Sequence, residues 1–153
     1  MIYILIIIIR FPISSLKLCF SILEEIKKKN SNVDVAFTVD ATGSMGGYIR
    51  AVKNGIKDIA VRIHKKFKDA IVRVAFIAYR DNNGNGKHFE ILDFTESIEE
   101  FSEFVRRIRA DGGGDKPEDV LGAINKTIHL NWTAANRLFY QIGKVLFGYI
   151  FHS

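Results

Sequence analysis

The chain has 153 residues, of which 48% are hydrophobic and 25% charged; this is an ordinary globular composition and predicts one domain with a buried core. The formal net charge is +5, but lysine and arginine are dispersed among glutamates and no basic stripe is interleaved with aromatics. Nucleic-acid binding is therefore disfavoured. The single cysteine, Cys19, excludes an internal disulfide and favours a reducing, cytoplasmic location.

The N-terminal segment is unusually apolar. Residues 1–9 are almost wholly apolar, Arg10 interrupts them, and the apolar character resumes as far as Leu23. The first run is too short to span a bilayer, which needs about 20 residues, and it lacks the basic start of a signal peptide. We expect residues 1–30 to be an anchor, a signal or a gene-model artefact outside the domain, so a secreted or membrane-associated location stays open.

The most informative stretch is Asp40-Ala41-Thr42-Gly43-Ser44. It follows residues 33–39, a mostly apolar, β-branched run that predicts a buried strand, and it precedes a long amphipathic helix. One carboxylate and two hydroxyls are thus placed at the carboxyl end of a strand, where open α/β sheets bind ligands. Oxygen ligands of this kind suit a hard cation such as Mg²⁺, although Asp40 or Ser44 acting only as a helix cap is the alternative.

The following elements alternate between helix and strand. Residues 71–79 and 89–94 predict two strands joined by a turn at residues 83–86, and therefore an antiparallel pair. Residues 137–142 predict a fourth strand, and Ser97 with Glu100 predicts a capping box. The predicted inward helix residues are Met45, Tyr48, Ile49, Val52, Ile56, Ile59, Ala60 and Ile63 in the first helix, and Ile98, Phe101, Phe104, Val105 and Ile108 in the second.

A glycine-rich loop at residues 111–115 precedes the last predicted helix. That helix is expected to present Val120, Leu121, Ile124 and Ile128 on one buried face. The spacing of Asp115 and Glu118 is itself that of a capping box. Since capping does not prevent a carboxylate from binding a cation, both roles stay open for Asp115.

Two motifs at this separation carry a family resemblance. The sequence from Asp40 to Met45, followed by Gly112-Gly113-Gly114-Asp115-Lys116-Pro117-Glu118-Asp119, resembles the von Willebrand factor type A (vWA) domain. Three features are similar to the version found beside alpha-type protein kinase domains. They are the threonine in the first motif, the sequence Tyr79-Arg80-Asp81 after the second predicted strand, and the form of the second motif. The resemblance implies an α/β fold with a doubly wound, Rossmann-like sheet, incomplete here and with an antiparallel edge strand.

The resemblance also implies domain limits and a strand order. The partial domain would span residues 31–143, followed by a divergent apolar tail at residues 144–153. The predicted strands, numbered along the chain, would lie in the order 3-2-1-4. Residues 137–142 would then form an exposed edge, which either the apolar tail covers or a second copy pairs with, and we expect self-association through it or insoluble expression.

The family's metal-ion-dependent adhesion site implies a set of ligands. Asp40, Thr42 and Ser44 match its first motif residue by residue. The second loop offers no threonine, so Asp115 is the candidate, with Glu118 and Asp119 as alternatives. In the third loop, Lys144 stands about where the family has a carboxylate. The site is therefore expected to be degenerate and to bind Mg²⁺, Mn²⁺ or Ca²⁺ weakly.

The function implied is a metal-dependent protein-binding module and not an enzyme. An acidic residue of a protein partner would complete the coordination of the cation. The alternative is a regulatory vWA fragment of an alpha-type serine/threonine protein kinase whose catalytic domain is missing from this chain. A serine hydrolase acting through Ser44 is disfavoured, because no histidine is placed to serve as its base.

Overall fold

The computed structural model describes residues 3–9, 32–67, 69–81, 87–112 and 119–143, the first of these ranges as backbone. Within these residues, five strands form one sheet: β1 (Tyr3–Ile9), β2 (Val33–Asp40), β3 (Val72–Tyr79), β4 (Phe89–Thr95) and β5 (Asn136–Ile142). The described helices are α1 (Ile49–Lys66), α2 (Ile98–Arg107) and α3 (Val120–Ile128), with a 3₁₀ turn at Gly43–Met45. No helix in these ranges combines the length and apolar character needed to cross a membrane.

The strand order is β1-β5-β2-β3-β4. The strands β1, β5, β2 and β3 run parallel, and β4 pairs antiparallel with β3. The fold class, the antiparallel edge strand and the order of the four predicted strands are therefore confirmed. The carboxyl ends of the parallel strands lie at one edge of the sheet, which is the edge that binds ligands in such folds.

The predicted exposed edge at residues 137–142 is wrong. The strand β1 pairs with β5 along its whole length, from Tyr3 beside Asn136 to Ile9 beside Ile142. The physical reason is that β5 would otherwise present a row of unpaired backbone groups, and an apolar run of strand length can pair with them. Self-association through this edge therefore loses its structural basis. The tail at residues 144–153 lies outside the described residues.

Alternate residues of β2 face opposite layers, as expected for a strand. One set, Val33, Val35, Phe37 and Val39, packs with the buried residues of α1 and α2. The other set includes Ala36, which clusters with Ala75, Ile77, Leu130 and Phe139 on the side of α3. Both faces of the sheet are thus covered by helices, and this explains why the central strands β2, β3 and β5 are buried almost throughout.

The buried faces of the first two helices were largely predictable. The predicted residues of α2 are buried or pack against the core. In the first helix Tyr48 is wrong, since 52% of its surface is exposed; the α-helix begins only at Ile49, after the 3₁₀ turn. The capping box is half confirmed: Ser97 Oγ accepts from Glu100 N at 3.1 Å, but the Glu100 carboxylate accepts from Thr95 Oγ1 instead, at 2.6 Å.

The predicted face of α3 is wrong at two positions. Leu121 and Ile128 are 77% and 66% exposed, whereas the small residues Ala123 and Thr127 are buried. The cause lies in the sheet. Thr127 Oγ1 lies 2.8 Å from Thr38 Oγ1, so this hydroxyl pair turns the small side of the helix toward β2.

The amino end of β2 carries a buried ion pair. The Asp34 carboxylate accepts from Arg73 Nε at 2.9 Å and from Arg73 Nη2 at 2.8 Å. It also accepts from the backbone amides of Thr133 and Ala134, each at 2.8 Å. The hydrogen bonds that Arg73 donates to Asp34 raise the pKa of Arg73. This network joins β2, β3 and the segment before β5 at the amino ends of the parallel strands, opposite the predicted ligand site.

Candidate metal site

The carboxyl end of β2 brings Asp40, Thr42 and Ser44 together. Asp40 is fully buried, and its Oδ1 accepts from Thr42 N at 2.9 Å and from Thr42 Oγ1 at 2.7 Å. Thr42 Oγ1 lies 3.2 Å from Ser44 Oγ. Since the chain leaves β2 through an extended Thr42 and enters the 3₁₀ turn, the alternating oxygens form one contiguous set.

The other oxygen of Asp40 distinguishes this set from a simple turn. Asp40 Oδ2 is buried and has no hydrogen-bond partner among the described residues. A buried polar atom without a partner is destabilising, the more so when it is charged. A cation or a proton would relieve this cost. One carboxylate and two hydroxyls, all hard oxygen donors, fit Mg²⁺.

The described residues contain no group of three His, Cys, Asp or Glu side chains that could hold a metal ion. The set at Asp40 differs from such a group because hydroxyls supply two of its three donors. The sequence-predicted ligands Asp115 and Glu118 lie outside the described residues. Their position relative to Asp40 therefore stays a prediction.

The second loop lies against the first. Asp111 N donates to Ala41 O at 3.1 Å, and Gly43 N donates to Gly112 O at 2.8 Å. Both glycines are needed for this approach. Gly112 has φ 65°, a left-handed conformation that favours glycine, and a Cβ added to Gly43 would lie 2.8 Å from Gly112 O. The segment that leads to the predicted ligand Asp115 thus starts beside Thr42.

Asp119, the remaining alternative ligand, has other contacts. Its Oδ1 accepts from Gly122 N at 2.7 Å and caps the start of α3. Its Oδ2 lies 2.9 Å from His88 Nε2. Asp119 Oδ1 is therefore hydrogen-bonded and Oδ2 lies against His88, whereas Asp40 Oδ2 has no hydrogen-bond partner among the described residues.

The end of β5 also reaches the site. A Cβ added to Gly143 would lie 2.9 Å from Asp40 Cβ and 2.8 Å from the Tyr79 hydroxyl. Gln141 Nε2 donates to the same hydroxyl at 2.8 Å, and Gln141 Oε1 is buried without a hydrogen-bond partner in the described part of the chain. Lys144, which follows Gly143, lies outside the described residues.

The sequence did not indicate the role of Arg80 at the end of β3. Its side chain is only 6% exposed and forms an ion pair with Asp111, with Nε 2.5 Å from Oδ1. Arginine in a family motif gives no indication of its partners, which here come from distant segments. The only available signal was its place directly after a buried strand, next to the predicted site.

Comparisons with known proteins agree with this architecture. A family model described as "von Willebrand factor A domain" matches residues 34–140. The chain is 36% identical over 100 residues to the alpha-protein kinase vwkA of Dictyostelium discoideum, covering 65% of this chain and 16% of that protein. It is 32% identical over 96 residues to a protein of Acanthamoeba polyphaga mimivirus named as an ariadne-like RING finger protein, covering 63% of this chain and 9% of that protein. The chain thus spans a small part of the length of both relatives.

Proposed function

The chain belongs to the von Willebrand factor A domain family, a family of protein-interaction modules, and on that premise we propose that it binds its partner through a divalent cation held at Asp40. The observation that supports this proposal is that Asp40 Oδ2 is buried and has no hydrogen-bond partner among the described residues. The other oxygen of the same carboxylate, Oδ1, accepts from Thr42 Oγ1. Asp40, Thr42 and Ser44 would hold the cation.

The chemistry of the site favours an acidic partner. A divalent cation beside one carboxylate and two neutral hydroxyls keeps a net positive charge, so a further anionic ligand is attracted to it. A glutamate or aspartate of a partner protein would supply that ligand. The cytoplasmic location indicated by the single cysteine stays a prediction.

Calorimetric titration of the purified chain with Mg²⁺ and Mn²⁺ tests this proposal. We expect weak binding that is lost in Asp40→Ala. Asp58→Ala is the matched control, because it removes the same charge from an exposed position on α1 and should leave binding unchanged. Binding that survives Asp40→Ala, or no binding by the unmodified chain, would reject the site.

Lys144 offers a second test of the same site. Gly143 directly precedes it, and a Cβ on Gly143 would lie 3.6 Å from Asp40 Oδ2. Lys144→Asp should strengthen Mg²⁺ binding by about tenfold, because it replaces a repelling charge by an attracting one. The same change at the exposed Lys65 of α1 is the control, and equal effects at both positions would mean that residue 144 does not act on the cation.

The second candidate function is a regulatory part of an alpha-type protein kinase. It is favoured by the identity of 36% to a relative named as an alpha-protein kinase. Cloning of the full transcript would decide between the two. A reading frame that continues into a kinase domain supports the kinase, and a frame without one supports an isolated binding module.

A further inference from the structure

Arg80 is a buried cation that contacts three separate segments. Its Nη1 donates to Lys87 O at 3.1 Å, and its Nη2 donates to Glu90 Oε1 at 2.9 Å. The same Nη2 donates to Arg109 O at 2.7 Å, and Nε pairs with Asp111. One guanidinium thus joins the end of β3, the start of β4 and the loop that follows α2.

The loop that follows α2 is the one that lies against the candidate metal site. Residues 109–112 begin with two contacts to Arg80, through Arg109 O and Asp111. They end with two backbone hydrogen bonds to the first loop, at Ala41 O and Gly43 N. Between them, therefore, these contacts fix the loop both to β3 and to the residues that flank Thr42.

We propose that Arg80 is a positioning residue for the metal site: it holds residues 109–112 against residues 41–43 and so sets the geometry of Thr42 and Ser44. Its effect on metal affinity rests on the proposed function, whereas its effect on the loop does not. Arginine suits this role because its planar guanidinium donates in several fixed directions at once. Lysine has the charge but cannot reach the same acceptors together.

Arg73 provides a matched control. It lies in β3, whereas Arg80 directly follows that strand; it is also paired with an aspartate, and its side chain is 18% exposed. Its contacts, however, lie at the opposite edge of the sheet, with Asp34 and the carbonyl of Asn131. Arg80→Lys and Arg73→Lys therefore make the same chemical change at the two ends of one strand.

The decisive measurement is amide hydrogen exchange by NMR on the metal-free chain. Arg80→Lys should speed exchange of the Gly43 and Asp111 amides by about tenfold relative to the globally protected core, the equivalent of one charge-assisted hydrogen bond. Arg73→Lys should lower global stability without this local change. Unchanged relative protection of both amides in Arg80→Lys would overturn the proposal.

Metal affinity gives an independent readout. We expect Arg80→Lys to weaken Mg²⁺ binding by about tenfold and Arg73→Lys to leave it unchanged; equal affinities in both variants would overturn the effect on the site. If the unmodified chain does not bind Mg²⁺, the proposed function fails, while the exchange data still decide the role of Arg80. If Arg80→Lys does not fold, the same exchange measurement on Asp111→Asn decides the role of Arg80. This change removes the charge of Asp111 and with it the same ion pair, at a side chain that is 67% exposed.

Discussion

The two ends of β2 carry buried aspartates with opposite surroundings. Asp34, at the amino end, accepts hydrogen bonds from Arg73 and from two backbone amides, so both of its oxygens are engaged. Asp40 lies on the same face at the carboxyl end and, among the described residues, accepts only from Thr42, through Oδ1. Both residues are 0% exposed. Burial alone therefore does not separate a structural carboxylate from one available to a ligand.

The hydrogen-bond count does separate them. A bidentate arginine and two amide donors compensate the desolvation of the buried Asp34 charge, and removal of one partner leaves the other without compensation. A buried carboxylate oxygen without a partner is destabilising in the isolated chain. Asp34 therefore belongs to the framework of the sheet, whereas Asp40 is the carboxylate that we propose holds a cation.

The largest expected effect is at the amino end of β2, where both oxygens of Asp34 accept hydrogen bonds. Asp34→Ala should lower the free energy of unfolding by about 3 kcal/mol, because Arg73 and two amides lose their acceptor. Urea unfolding measures this, with Asp58→Ala as a control that should change stability by less than about 0.5 kcal/mol. A loss as small as that of the control would mean that the ion pair is not needed and that the two ends do not differ.

A somewhat smaller effect is expected from crowding at the other end. Gly143→Ala would place a Cβ 2.9 Å from Asp40 Cβ and 2.8 Å from the Tyr79 hydroxyl, so it should lower stability by about 2 kcal/mol and weaken Mg²⁺ binding. Gly55→Ala is the control, since nothing lies within 4 Å of its added Cβ; it should stabilise α1 by about 0.5–1 kcal/mol. A Gly143→Ala variant as stable as Gly55→Ala would show that the end of β5 does not press on Asp40.

The difference between the two ends could be predicted only in part from the sequence. The Asp40, Thr42 and Ser44 set was recognisable because its members are close in sequence and follow a buried strand. The hydrogen bonds of Asp34 could not be recognised from the sequence, because the fold brings Arg73 and the amides of Thr133 and Ala134 to it. The contacts of Arg80 were missed for the same reason.

The same limit applies to the fold. The strands β2 to β5 follow from apolar, β-branched runs, but their order came from the family resemblance. Residues 3–9 are equally apolar, yet such a run does not distinguish a strand from a signal or an anchor. In α3, apolar residues occur on more than one side, so the pattern does not indicate that the side with Thr127, which contacts Thr38, is the buried one.

At the carboxyl end of β2, where Asp40 lies, we expect a small effect on stability of opposite sign. Asp40→Asn keeps an oxygen for Thr42 and replaces the unpartnered oxygen by a neutral group, which loses less hydration free energy on burial. The metal-free chain should become more stable by about 1 kcal/mol, and Mg²⁺ should no longer raise its thermal midpoint. Asp34→Asn should instead destabilise, and destabilisation by both changes would remove the distinction between the two aspartates.

The smallest effect is expected where the same ion-pair distance occurs at the surface. Glu103 and Arg106 of α2 approach to 2.8 Å, as Asp34 and Arg73 do, but their side chains are 53% and 67% exposed. The hydrogen bond from Arg106 lowers the pKa of Glu103, so its contribution is present above the ordinary glutamate pKa and is lost as the pH falls through the lowered value. Because solvent and salt screen an exposed pair, Glu103→Gln should change the thermal midpoint far less than Asp34→Ala does. The change should also vanish at high salt or at low pH. Thermal melts of both variants at two salt concentrations measure this, and an equal, salt-independent loss would mean that distance, rather than burial and saturation, sets the strength of these pairs.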